Sequence, residues 1–269
     1  MPKTMQTINM AGAGGGVAFA HTVSKRRGDD DLLVAASTST VTRLAQGQFP
    51  GMDASMVNWL GTIGADYGVI AVSKDSPYHN LNELMDAMKQ DPRAVKFAGG
   101  SANGGWDHLK VLIAAKAAGV ENLPRIPYLS YNNGGEALTQ LVGGHVGAFT
   151  GDITEAKGFF ESGDIRVLAV LSEDRLPGAF STIPTARGQG IDAIGANWRG
   201  FYMPADIDDD AKQYWVDAID KLYASDQWKK VMKSNGLMPF HPDSSEFEAF
   251  VKQQIQDIQS LSKEIGLIQ

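Results

Sequence analysis

"FAGGSANGGWDHLKVLIAAKAAG", residues 97–119, reads as the end of a strand, a loop of small polar residues, and then a helix. Four of the seven residues from 99 to 105 are glycine (Gly99, Gly100, Gly104 and Gly105), Ser101 and Asn103 stand among them, and there is no Lys or Arg. A glycine-rich turn feeding a helix suits an anion, because free backbone N–H groups and the positive end of the helix dipole converge there. Gly119 is the residue expected just past the end of that helix.

The same strand–loop–helix unit recurs in both directions. Upstream, "MQTINM" (5–10) is expected as a strand, followed by "AGAGGG" and the helical "VAFAHTVSKRR". "DLLVAAS" (31–37) reads as a buried strand leading through "TST" into the helical "VTRLAQG". Two further strand-like pieces, "WLGTIG" and "YGVIAVS", fall between 59 and 73. Then "LNELMDAMKQ" sets Leu81, Leu84, Met85 and Met88 on one helix face before Pro92. Downstream, "IPYLSYNNGG" leads to the helix "EALTQLVGG". The strand "VGAFTGD", the helix "ITEAKGFFESG" and the strand "IRVLAVLS" follow. This alternation predicts parallel sheets with helices on both faces. After "NWRGFYMP" (197–204) only helices are expected. The last is marked by a Ser245–Glu248 capping box and the apolar stripe Phe247, Val251, Ile255, Ile258 and Ile265.

At 269 residues the chain is near the size at which one core gives way to two lobes, and 43% hydrophobic with 20% charged residues is an ordinary globular composition. The formal charge is −7, and no basic run exceeds residues 25–27, which argues against a nucleic-acid partner. An acidic chain that binds an anion must rely on local dipoles rather than on net charge. With no cysteine, disulfides, thiolate metal sites and cysteine nucleophiles are excluded. Residues 1–10 carry no apolar signal-peptide core, so the sequence taken as literal and complete reads as cytoplasmic.

Enzyme signatures fail residue by residue. Gly99 and Gly104 have phosphate-loop spacing, but Gly105 and Trp106 stand where Lys and Ser or Thr are needed. Gly12 and Gly14 are followed by Val17 where a dinucleotide fingerprint needs a third glycine. Gly99 and Ser101 are followed by Asn103 where a nucleophile elbow needs glycine. The five histidines are scattered, without metal-ligand spacing. What remains is five donor-rich loops, each at the C-terminal end of an expected strand, where open α/β sheets bind ligands. They are "MAGAGGG" with Gly14 and Gly15, "ASTST" (36–40), the loop 97–105, "LSYNNGGE" (129–136) and "TGDITE" (150–155). Each also has a plain reading as a tight turn or a helix cap. His108 reads as a packing residue, and Asp152 either caps a helix or accepts a hydrogen bond from a ligand or from the opposite lobe. Arg199, beside Trp198, is a candidate fixed charge for a carboxylate.

Taken together, "MAGAGGGVAFAHTVSKRRGDDDLLVAASTST", "WLGTIGADYGVIAVSKDSPYHNLNELMDAMKQDP", "NGGEALTQLVGGHV", "LAVLSEDRLP", "IPTARGQG", "WRGFYMP" and "KEIGLIQ" resemble the extracytoplasmic solute receptors of tripartite tricarboxylate transporters, the Bug receptor family. The likeness is closest to the tricarboxylate (citrate) binding type and runs from about Met5 to Gln269. It implies a two-lobed, periplasmic-binding-protein-like (type II) α/β fold, with lobe one at 1–68 and 198–269 and lobe two at 69–197. Crossings are expected at 67–73 and 197–204. It further implies a monomeric periplasmic receptor that holds a small di- or tricarboxylate and delivers it to integral-membrane permease subunits, with no catalytic residue, cofactor or metal. By matching position, Ser37, Thr38 and Ser39 would bind from one lobe. Gly100, Ser101, Asn103, Gly105, Tyr131, Asn132 and Gly134 would bind from the other, with Asp152 near the ligand. The family also has a strand, a P-x-G-G-G type loop and a helix ahead of the segment matching "MQTINM", and a signal peptide. This sequence lacks both, so lobe one is expected to be N-terminally truncated. The competing readings are an α/β transferase for a nucleotide or sugar phosphate, which lacks its phosphate-reaching Lys here, and a binding-deficient sensor or scaffold.

Overall fold

A computed structural model describes residues 4–10, 12 and 15–269. In chain order the elements are α1 (Gly16–Lys25), β1 (Val34–Ser37), α2 (Thr38–Ala45), β2 (Val57–Ser73), α3 (Leu81–Gln90), β3 (Phe97–Gly99), α4 (Trp106–Ala117) and β4 (Tyr128–Ser130). There follow α5 (Gly134–Val142), β5 (Ala148–Asp152), α6 (Ile153–Glu161), β6 (Ile165–Val170), β7 (Ala196–Pro204), α7 (Asp209–Ala224), α8 (Asp226–Ser234) and α9 (Ser244–Glu264).

Strand β2 organises the molecule. Its residues 57–67 pair antiparallel with β7, which in turn pairs with β1, while residues 68–73 pair with β5 and β6. Beyond β5, β3 and β4 continue in parallel, so the strand order is β1-β7-β2-β5-β3-β4 with β6 also on β2. The sequence suggested two strand pieces between 59 and 73; the structure has one of 17 residues. No proline interrupts it, and two register shifts against β7 let it twist from the first set of partners to the second without breaking.

Along β2 the side chains alternate between two faces. Ile70 and Val72 belong with Leu109, Leu112 and Met85, from α4 and α3. Val69 and Ala71 belong with Leu138, Phe149 and Ile153, from β5 and helices α5 and α6. In the first set, Trp59, Trp198 and Tyr202 meet Phe19 of α1 and Phe247 of α9 through tilted and edge-on rings, and Leu60 and Met203 meet Ile219 of α7 on the other face. Helices therefore cover both faces of both sets.

The expectation of parallel sheets holds only for β3 with β4 and β5; β2, which runs through both sets, is antiparallel to β5, β6 and β7, and β1 is antiparallel to β7. Two local expectations also need correction. The strand expected at 5–10 does not form: these residues are irregular and exposed, with Met5 75% and Ile8 71% exposed. Among the described residues, β1 pairs only with β7. Alternating apolar residues make a strand only where a ladder partner is in reach, and here there is none. The last helix is capped two residues earlier than expected. Asp243 accepts from the Glu246 N–H at 2.8 Å and Glu246 accepts in return, so the same cap-x-x-Glu spacing is used two residues upstream of Ser245.

Candidate functional site

One face of α2 and the loop and N-terminal end of α4 meet across a cleft of about 290 Å³. One wall is a single face of α2, Ser39, Thr42, Arg43 and Gln46, spaced i, i+3, i+4 and i+7; Ser101, Asn103, Gly105 and Trp106 form the other. Four of the residues singled out in the sequence, Ser39, Ser101, Asn103 and Gly105, are thus brought together. Ser37 caps α2 by accepting from the Ser39 N–H at 3.3 Å. Helix α4 has no side-chain cap at Gly105. Ser101 Oγ accepts instead from Asp107 N–H at 3.0 Å, and the Tyr128 hydroxyl donates to the Ser101 carbonyl at 2.8 Å. His108 accepts the Gly104 N–H on Nδ1 at 3.0 Å and stacks on Tyr128. Burial pushes its pKa down to about 4, so the ring is neutral at pH 7 and fixes the loop as a packing residue.

The other loops gather beside this wall. A Cβ on Gly100 would lie 2.6 Å from the Gly134 nitrogen and 2.8 Å from the Asn133 carbonyl carbon, so the loops after β3 and β4 touch at a point only glycine allows. Gly134 N–H donates to Glu155 at 3.2 Å, which ties in the loop after β5. Arg199 stands opposite Ser37 in the β1–β7 ladder and reaches to 4.0 Å from Asp152. Gly15 approaches Thr40 of α2, and Gly14 lies outside the described residues.

Much of this second group is occupied with the framework. The Thr38 hydroxyl is fully buried between the Ala196 carbonyl, to which it donates at 3.0 Å, and the Trp198 N–H, from which it accepts at 3.1 Å. Asn132 donates to Glu136, and the Tyr131 N–H donates to the Gly99 carbonyl. Arg199 gives N–H groups to the Asn197 and Trp198 carbonyls. Asp152 accepts from Lys110 Nζ at 2.6 Å and from Asn197 Nδ2 at 2.6 Å.

Lys110 was not singled out in the sequence, yet it is the centre of a buried polar cluster. Its side chain is wholly buried and its Nζ also lies 2.8 Å from Asp107. Burial alone would lower its pKa, but the two carboxylates outweigh that and hold it above the usual lysine range. Asp66, on β2, accepts from the hydroxyl and N–H of Thr154 on α6. Burial, reinforced by Asp152, pushes its carboxyl up to about 7. Asn197, opposite Asp66 in the β2–β7 ladder, has a buried Oδ1 without a donor. Arg43 was also missed.

A larger cavity of about 670 Å³ lies between α4 and α9, floored by Tyr67, Ile194 and Ala196. Its walls are mainly apolar, with Phe240, Phe250 and Ile113 among them, and acidic groups such as Glu173, Asp192 and Asp257 outnumber Lys116 at its rim. Size favours this cavity as a ligand site, but an apolar hollow with an acidic edge repels a carboxylate. The smaller cleft has the donors.

Comparison with known proteins places the chain in context. Residues 3–267 match the family described as "Tripartite tricarboxylate transporter family receptor". A UPF0065 protein of Bordetella pertussis is 26% identical over 200 residues, which cover 74% of this chain. The chain spans 60% of the length of that relative. A TctC solute binding protein from Polaromonas, solved without ligand, superposes with a TM-score of 0.83 at 21% identity, covering 96% of this chain and 86% of that one. An R. palustris protein, Rpa4515, solved with adipate, gives 0.75 at 21% identity, covering 96% and 85%.

Proposed function

The chain belongs to the tripartite tricarboxylate transporter receptor family, whose members are receptors and not enzymes, and from that premise we propose that it captures a small organic carboxylate in the cleft between α2 and the loop 100–105. The observation that carries this reading is the cleft's lining. Hydroxyl and amide side chains from two different parts of the chain line one space, with Ser39 on one side and Ser101 and Asn103 on the other, while the Gly105 N–H is held by the Ala102 carbonyl. Hydrogen bonds to a charged acceptor contribute roughly 1.5–3 kcal/mol each, so a few outweigh the diffuse repulsion of a net −7 chain. Adipate in the R. palustris structure supports a dicarboxylate as the class; citrate is the alternative.

The two sets of strands act as lobes, 1–68 with 198–269 and 69–197, that close on the ligand by bending where β2 changes partners at 67–68 and where β7 begins. Delivery to membrane permease subunits, from the periplasm and as a monomer, completes the proposal. No helix among the described residues is long and apolar enough to cross a membrane.

Thermal unfolding in the presence of millimolar succinate, malate, adipate and citrate tests the reading. A ligand at about 100 times its Kd stabilises by about 2.7 kcal/mol, a rise of several degrees in Tm. At least one of the four is expected to give that rise; none doing so would refute the proposal.

A further inference from the structure

Resting on the receptor reading, we infer that Arg43 is the anchor for a second carboxylate, so that the cleft selects short dicarboxylates over monocarboxylates of the same chain length. Arg43 lines the cleft together with Ser39 and Thr42 on the wall opposite Ser101 and Asn103. Among the described residues it has no ion-pair partner, in a chain with 31 acidic against 24 basic residues. What holds it is neutral. One N–H donates to Gln48 Oε1, Gln48 Nε2 donates to Gln46 Oε1 at 2.8 Å, and Gln46 Nε2 donates to the Gly104 carbonyl at 2.6 Å and to Ser262 Oγ at 3.3 Å. Gln46 is only 9% exposed.

This relay of amides runs from α2 to the very loop that supplies the opposite wall. It orients the guanidinium without neutralising it. Arginine presents its donors as a planar fork matched to a carboxylate, and Gln48 takes one of them, which leaves an edge free for two parallel bonds. The Ser101 and Asn103 side chains offer neutral donors for one end of a ligand, and Arg43 offers charge for the other. A monocarboxylate satisfies only one of these walls and leaves the other to water.

Isothermal titration of the protein with two matched pairs, succinate against butyrate and adipate against hexanoate, tests the inference, with Arg43→Gln alongside. The wild-type chain is expected to prefer the diacid of at least one pair by about 10- to 100-fold, the span of one charge-assisted bidentate contact. Arg43→Gln is expected to bring the two members of that pair to within about threefold. Arg43→Lys, which keeps the charge and loses the fork, should fall between them. A wild-type protein that binds both members equally, or an Arg43→Gln variant that keeps the preference, would overturn the anchor and leave the receptor reading standing. Binding of none of the four would overturn the anchor, and a rise in Tm with malate or citrate would then leave the receptor reading standing, while no rise with either would overturn both.

Discussion

Lys110 and Arg43 stand on two helices, α4 and α2, that border one cleft, and the fold treats their charges in opposite ways. Lys110 is fully buried and shared between Asp107 and Asp152, with Asn197 and Arg199 completing the ring around Asp152. Arg43 is half-buried, lines the cleft and, among the described residues, is bonded through one N–H to a glutamine amide with no ion pair. A buried ion cluster gives little net stability relative to an apolar core, but it is costly to break, because the remaining charges stay buried. An uncompensated charge at a cleft wall contributes nothing to cohesion and is available to a ligand. Behind the cleft, charge holds the framework; at its mouth, charge is left over.

The largest effect that would break this contrast is expected at Lys110. Lys110→Met leaves Asp107 and Asp152 buried without a cation and should lower unfolding stability by about 3–5 kcal/mol in urea titration. Adding Asp152→Asn should recover part of that loss. A change below about 1 kcal/mol would mean that water already reaches the cluster.

The two charges were not equally hidden in the sequence. The alternation of strands and helices is set by local periodicity and was legible almost throughout. The 5–10 segment was not, because a strand requires a partner and pairing is not a local property. Lys110 had a signal: "WDHLKVLIAAKA" is apolar around most of its circumference, so a lysine in its middle, between Leu109 and Val111, is buried and needs an acid nearby, which Asp107 supplies at i−3, whereas Lys116 at the end of the helix is exposed. Arg43 also had one, since Ser39, Thr42, Arg43 and Gln46 share a helix face. What no spacing could show is that Gln46 and Gln48, rather than an acid, hold the guanidinium. Nor could it show that Asp152, placed at a strand end like the other loop residues, is used up by Lys110 and Asn197.

Smaller effects sharpen the comparison. Gly100→Ala should cost about 1–3 kcal/mol by pushing the loop 100–105 off Gly134, measured as a fall in the urea midpoint. An unaltered midpoint would show that the two loops have room to separate. At Asp66 the effect is one of pH. A carboxyl raised from 3.8 to about 7 in the folded state binds a proton more readily there than when unfolded. Its stabilisation is therefore fully present below pH 3.8 and lost as pH rises through 7. His108, lowered from 6.5 to about 4, has the opposite sign: its contribution is present above pH 6.5 and lost as pH falls through 4. Asp66→Asn should raise Tm relative to wild type more at about pH 8 than at about pH 5; an equal difference at both would show that Asp66 stays ionised in the fold. Smallest of all, Arg43→Gln should change unfolding stability by less than about 0.5 kcal/mol, in contrast to Lys110.

The most direct test of the contrast is a crystal structure of the protein grown with succinate. A carboxylate seated on the Arg43 fork, with the other end among Ser101, Asn103 and Gly105 and the Lys110 cluster undisturbed, is the predicted result. Succinate found instead on Lys110, or in the apolar cavity between α4 and α9, would contradict it.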